Sequence, residues 1–150
     1  MSAHSRGEVI QFRIPGNTKY VSMVRRGINS IARSIDLPDN VISDIELSVS
    51  EAIANAIEHG SPEHTGNVVV VTCRLDSDKL VIDVRDEGPG FQPNLHNLDS
   101  PDILLEHGRG LHLICRLMDS VQVSRMRKGS RLRMVKRVDT IRTGREVLAA

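Results

Sequence analysis

Residues 50–60 read SEAIANAIEHG and form the second half of a predicted helix that begins after Pro38-Asp39. Gly60-Ser61-Pro62 then ends the helix. Apolar residues recur along it at helical spacing and predict a face that packs on a core. They are Val41, Ile45, Val49, Ala52, Ile53 and Ala56. The flanking segments must supply the surface on which this helix packs.

The same helix carries a polar line. Glu51 and Asn55 are four residues apart and leave one face a turn apart, and Asp44 and Ser48 extend the line. This spacing is also typical of an ordinary solvated helix face. In a functional site, Asn55 would offer a neutral oxygen to Mg²⁺, which takes few protein ligands. Glu51 would accept the proton of a hydroxyl that attacks a γ-phosphate.

The flanking segments predict strands and two further helices. Strands are expected at 8–14, 67–75, 79–86, 120–125 and 131–138. One helix begins at Asn17 or Thr18 and ends before Pro38, another begins at Gly108, and 91–107 forms a long loop. The order predicts a two-layer α/β sandwich, with a mixed, mostly antiparallel sheet and helices on one face.

Two glycine-bearing segments are candidate ligand contacts. Asp86 ends a strand and opens Asp86-Glu87-Gly88-Pro89-Gly90, where its carboxylate could accept a hydrogen bond from the adenine amine and the glycines admit a flat ligand. Turn chemistry explains the segment equally well. Gly108-Arg109-Gly110 opens a helix, whose free N–H groups favour phosphate, with Arg109 adding a charge. A capping or packing role suits these glycines as well.

Composition narrows the function classes. The 150 residues carry a net charge of +1 and suit one globular domain, 8–138, followed by a basic tail, 139–150. Neither a membrane span nor a secretory signal is evident, which favours a cytoplasmic protein. Two Phe and one Tyr provide few platforms for stacking bases, so the basic stretch 125–145 indicates a solvated surface or an acidic protein partner before nucleic acid. Cys73 and Cys115 are expected to be reduced core residues.

Four segments in order resemble the motifs of the GHKL ATPases. SEAIANAIEHG (50–60), DVRDEGPGF (83–91), GRGLHLI (108–114) and KGSRLRM (128–134) correspond to the N box, G1 box, G2 box and final strand motif. The classical P-loop and the dinucleotide-binding fingerprint are both missing from the sequence. The short single-domain form most resembles the anti-sigma factor serine/threonine kinases.

The resemblance implies a Bergerat ATP-binding fold and a role for each matching residue. Glu51 would be the general base and Asn55 the Mg²⁺ ligand. Asp86 would read the adenine amine beside Gly88 and Gly90, Gly108 and Gly110 would hold the phosphates, and 91–107 would be the ATP lid. Ser130 stands where the family usually has Thr, so a hydroxyl is retained.

The implied function is an ATP-dependent serine/threonine protein kinase that phosphorylates a STAS-type anti-anti-sigma protein and sequesters a sigma factor, usually as a homodimer. The alternative is a non-catalytic, ATP-gated partner-switching module. A histidine kinase fragment would share the pocket, but His4 lacks a helical dimerisation hairpin around it.

Overall fold

The computed structural model describes residues 9–60, 66–87 and 110–138, which build one five-stranded sheet covered by helices. The strands lie side by side in the order β1-β2-β3-β5-β4. Their bounds are β1 Val9–Pro15, β2 Val68–Asp76, β3 Lys79–Asp86, β4 Ser120–Arg125 and β5 Ser130–Arg137.

The helices follow the apolar periodicity of the sequence. A short 3-10 turn, Thr18–Tyr20, leads into α1, Val21–Ser34, and α2 spans Asp39–Gly60. A third helix, α3, covers 110–117 in the described part of the chain. Asn17 caps the 3-10 turn, because its side-chain oxygen accepts a hydrogen bond of 3.0 Å from the Lys19 amide.

The core lies between the helices and one face of the sheet. Alternation along β3 points Leu80, Ile82 and Val84 into it, where each is at most 2% exposed. From the helical side, Ile45, Val49 and Ile53 of α2 are completely buried. Gly27 of α1 lies so close to the ring of Phe12 that a Cβ there would clash with it. Because the apolar face of α2 packs on the sheet, its polar line, with Glu51 and Asn55, lies at the edge of the core.

The predicted sandwich is confirmed, with helices on one face of the sheet. Every strand pair in the described ranges is antiparallel, so the mixed character allowed by the prediction does not occur there. The first helix ends before Pro38, as predicted, and its start is divided into a 3-10 turn capped by Asn17, Thr18–Tyr20, and α1, Val21–Ser34. Asp36 adopts a left-handed φ of 59°, and the Leu37 amide donates back to the Ala32 carbonyl, so the chain leaves the helix there.

Strand register positions the site residues. β3 pairs with β5 through Val84↔Leu132 and Arg85↔Arg131, so the next pair along the ladder brings Asp86 opposite Ser130. β5 joins β3 directly although β4 precedes it in the chain. Two distant segments therefore meet at one end of the sheet, beneath α2.

None of the helices in the described ranges combines the length and apolar character of a membrane span.

Candidate functional site

A pocket opens between α2, α3 and the ends of β3 and β5. It brings together three of the residues predicted from sequence, namely Asn55, Asp86 and Ser130. The remaining lining is apolar and consists of Ala52, Ala56, Val84, Leu111, Val123 and Leu132. An apolar cleft with a few convergent polar groups is the usual form of a small-molecule site.

Asp86 is the buried polar group at the floor of the pocket. It is 5% exposed, and its Oδ2 accepts a hydrogen bond of 2.8 Å from the hydroxyl of Ser130, which is 6% exposed. A carboxylate can accept several hydrogen bonds at once. This arrangement suits a ligand that presents an N–H group at the end of an otherwise flat, apolar surface, as adenine does.

Gly129 allows this contact between β3 and β5. Its φ is +81°, and a Cβ at this position would collide with the backbone carbonyl of Asp86. Sequence reasoning identified the KGSRLRM segment as the final strand motif but assigned Gly129 no part in the site. The sequence does show a glycine directly before Ser130. Its role becomes clear only once β5 is known to lie beside β3.

At the other end of the pocket, α3 begins against the polar face of α2. A Cβ built on Gly110 would lie 2.7 Å from Oε2 of Glu51 and within 3.6–3.7 Å of the amide atoms of Asn55. The first described residue of α3 therefore touches both predicted catalytic and metal-binding side chains. A side chain at position 110 would compete with the Glu51 carboxylate for space.

Burial distinguishes the two interpretations of the polar line on α2. Ser48 is completely buried, and Asp44, Glu51 and Asn55 are partly buried. An ordinary solvated face would be exposed along its length, whereas none of these four residues is fully exposed. Ala52 and Ala56 flank Asn55 and line the pocket, where their small side chains leave space beside the helix. Sequence reasoning had assigned both alanines to the core stripe alone.

The resolved pKa shifts belong to groups outside this pocket. Burial raises the pKa of the Cys73 thiol to about 12. A hydrogen bond from Arg133 to Asp83 raises the pKa of that guanidinium. Both cysteines are reduced, as predicted, although Cys115 is only partly buried.

The side chains around the pocket suit a metal ion that binds together with a nucleotide better than a metal ion held by protein ligands alone. Within the described ranges, no group of three or more His, Cys, Asp or Glu side chains could hold a metal ion. Asn55 supplies a single carboxamide oxygen at the mouth of the pocket, and Mg²⁺ commonly takes one or two protein oxygens with phosphates and water. The space left by Gly110 lies at this same end.

Several predicted residues lie outside the described part of the chain. They are Gly88, Gly90, Gly108, Arg109, the 91–107 segment and the 139–150 tail. Their assignments therefore stay predictions. Of the described members, Asn55, Asp86 and Ser130 line one cleft, and Glu51 and Gly110 lie next to Asn55.

The chain also resembles known proteins in sequence. Residues 14–136 match the family model described as the histidine kinase-like ATPase domain. The serine-protein kinase RsbW of Bacillus cereus (strain Q1) is 34% identical over 126 residues, covering 79% of this chain and 78% of that protein. RsbW of Bacillus subtilis (strain 168) is 29% identical over 127 residues, covering 79% of each.

Structural comparison supports the fold. The crystal structure of the RsbU and RsbW domains of Rv1364c from Mycobacterium tuberculosis has a TM-score of 0.65 at 19% identity; the match covers 88% of this chain but 33% of that longer one. The catalytic domain of histidine kinase ThkA has a TM-score of 0.57 at 15% identity and covers 88% of this chain and 97% of its own. At these identities the likeness concerns architecture alone.

Proposed function

Because this chain belongs to the family of histidine kinase-like ATPase domains, we propose that it is an ATP-dependent serine/threonine protein kinase of the anti-sigma type. It phosphorylates a STAS-type anti-anti-sigma protein and sequesters a sigma factor. The observation that carries the proposal is the position of Glu51. This carboxylate lies one helical turn from Asn55 and against Gly110, next to a pocket lined by Asn55, Asp86 and Ser130.

The buried end of the pocket binds the base of ATP. The Asp86 carboxylate accepts a hydrogen bond from the exocyclic amine, and the Ser130 hydroxyl holds that carboxylate in position. Val84, Leu111 and Leu132 provide apolar walls for the ring. Gly88 and Gly90 are proposed, from their motif alone, to shape the remaining wall.

The open end of the pocket binds the phosphates. Asn55 is proposed as the protein ligand of Mg²⁺, and Gly108, Arg109 and Gly110 as the phosphate contacts at the start of α3. When bound, Mg²⁺ supplies charge neutralisation on the phosphate oxygens. The 91–107 segment is proposed to be the ATP lid.

Glu51 acts as the general base. A serine or threonine hydroxyl of the acceptor attacks the γ-phosphorus, the bond to the β,γ-bridging oxygen breaks, and the hydroxyl proton moves to the Glu51 carboxylate. ADP leaves with the electron pair of the broken bond. Its partly buried position on α2 holds the backbone of Glu51 next to Gly110 and Asn55.

The partners follow from this function. One is the STAS-type phospho-acceptor, and the other is the sigma factor that is released when the kinase binds its acceptor instead. A sigma-factor partner would place the protein in the cytoplasm. We also propose a homodimer, because the anti-sigma factor kinases that this chain resembles usually dimerise.

The test uses purified protein, Mg·[γ-³²P]ATP and a STAS-domain protein from the same genome. Glu51→Ala should abolish label transfer while leaving the Kd for ATP nearly unchanged. Glu58→Ala, on an exposed position of the same helix, is the matched control and should transfer label normally. Equal labelling by the Glu51 variant would refute the assigned base. ATP binding without transfer by the wild type to any STAS protein would leave only a nucleotide-gated binding module.

A further inference from the structure

The second face of the sheet, which points away from α1 and α2, carries a line of arginines. Ladder pairing places Arg13 of β1 opposite Val70, Val70 opposite Arg85 of β3, and Arg85 opposite Arg131 of β5. Arg13, Arg85 and Arg131 thus lie in one row across four adjacent strands, and we refer to these three residues as the basic row. It lies on the opposite side of the sheet from the nucleotide pocket.

The basic row is not balanced electrostatically within the described structure. Arg85 and Arg131 are direct cross-strand neighbours, where like charges destabilise a sheet. Neither guanidinium group makes a hydrogen bond or ion pair with any group in the described ranges, and Nε of Arg131 is buried without an acceptor. Arg13 has a long ion pair of 3.8 Å with Glu87, and the Arg13 side chain is 58% exposed.

The adjacent row provides the contrast. Arg133 donates two hydrogen bonds to the carboxylate of Asp83 on the neighbouring strand, at 2.8 and 2.9 Å. This sheet can therefore balance a cross-strand arginine with an acidic partner. The basic row keeps its like-charge pair, although removal of either arginine would relieve the repulsion.

We propose that the basic row is a docking surface for an acidic helix of a partner protein. Paired residues on neighbouring strands hold their Cβ atoms about 5 Å apart. Acidic residues at i and i+4 on a helix have nearly the same spacing, about 5–6 Å. Arg85 and Arg131 can therefore each meet one carboxylate, and arginine binds carboxylates with paired N–H donors.

The composition of the chain favours protein over nucleic acid as the occupant. The net charge of +1 gives little long-range attraction to a polyanion, and aromatic residues make up 2% of the sequence, so base stacking has little support. The surface is independent of the kinase proposal because it does not use the pocket.

The test uses a labelled 16-residue helical peptide with Glu at successive i, i+4 positions, and fluorescence anisotropy at fixed ionic strength. Arg85→Gln combined with Arg131→Gln should weaken binding at least about tenfold. Arg26→Gln combined with Arg116→Gln, two exposed positions on the helical side, removes the same charge and should leave binding unchanged. Equal weakening by both pairs would reduce the effect to general charge and overturn the proposal.

Charge reversal gives a second, independent measurement. Arg85→Glu with Arg131→Glu should lose the Glu peptide and bind the same peptide with Lys in place of Glu. Failure of this swap in a variant that still unfolds cooperatively would contradict the proposal. A 16-nucleotide single strand that binds the wild type more tightly than the peptide, and is lost on the same substitutions, would assign the surface to nucleic acid. ATP affinity, measured on each variant, should not change, which separates this result from a failure of the kinase proposal.

Discussion

The hydroxyl of Ser130 donates a 2.8 Å hydrogen bond to Oδ2 of Asp86, and both residues are almost fully buried. This bond joins the end of β3 to the start of β5. It also sets the orientation of the carboxylate proposed to read adenine. The stability of the fold and the affinity for nucleotide should therefore both respond to substitution of Ser130.

Ser130→Ala should lower the free energy of unfolding by about 1–3 kcal/mol, because a buried carboxylate loses a donor. Ser130→Thr should restore most of it. Ser34→Ala is the control, since the Ser34 hydroxyl bonds a backbone carbonyl at an exposed site. Urea denaturation measures all three proteins. An equal effect of Ser130→Ala and Ser34→Ala would show that the buried bond contributes little.

Comparing Gly129 with Gly66 separates the cost of adding a Cβ next to Asp86 from the cost of backbone strain. Both have positive φ, 81° and 77°, but a Cβ at Gly66 meets open space, whereas at Gly129 it meets the Asp86 backbone. Gly66→Ala should cost roughly 1–2 kcal/mol from backbone strain alone. Gly129→Ala should cost clearly more and weaken ATP binding. Similar unfolding midpoints for the two variants would argue against the close approach.

Gly110→Ala should separate catalysis from stability. The added Cβ would lie 2.7 Å from Oε2 of Glu51, and the flexible end of that side chain can move away. We expect unchanged or slightly higher stability, since alanine favours helix by about 1 kcal/mol, with phosphotransfer reduced roughly tenfold or more. The Kd for ATP should change much less than the rate of transfer. A loss of ATP affinity as large as the loss of rate would show that Gly110 acts through nucleotide binding and not through Glu51.

Cys73 gives a pH dependence whose sign is fixed by burial. Burial raises the pKa of its thiol from the ordinary 9.0 to about 12 in the folded protein, so the unfolded chain loses this proton first as pH rises. The associated stability is complete below pH 9 and falls between pH 9 and 12, by at most about 1.4 kcal/mol per pH unit.

Cys73→Ala should flatten that decline, and Cys115→Ala should retain it. Unfolding free energies at pH 8, 9.5 and 10.5 provide the measurement. Parallel pH curves for the wild type and the Cys73 variant would contradict the assignment. The slope decides the result, so the loss of packing in Cys73→Ala does not affect it.

Local periodicity was sufficient for much of the fold and for half of the site. The fourfold spacing of Glu51 and Asn55 placed both on one face of α2, and period-two alternation fixed β3 at Lys79–Asp86 with the carboxylate at its end. These signals depend on neighbours in sequence. They say nothing about which strands are adjacent.

The remaining features depend on strand order and register. The contact of Gly129 with Asp86, and the row formed by Arg13, Arg85 and Arg131, exist because β5 inserts between β3 and β4. No periodicity within one segment encodes that choice. The end of α1 is similar, since the left-handed Asp36 is selected by the packing of Leu37 back onto the core.

The insertion of β5 beside β3 has a kinetic consequence. Asp86 and Ser130 are 44 positions apart, so a long loop must close before their contact contributes anything. Chains dominated by such distant pairings fold slowly. The base-binding end of the cleft is therefore complete only when the whole sheet has assembled. ATP binds only this folded state, so it should raise the melting temperature in proportion to the logarithm of the ATP concentration.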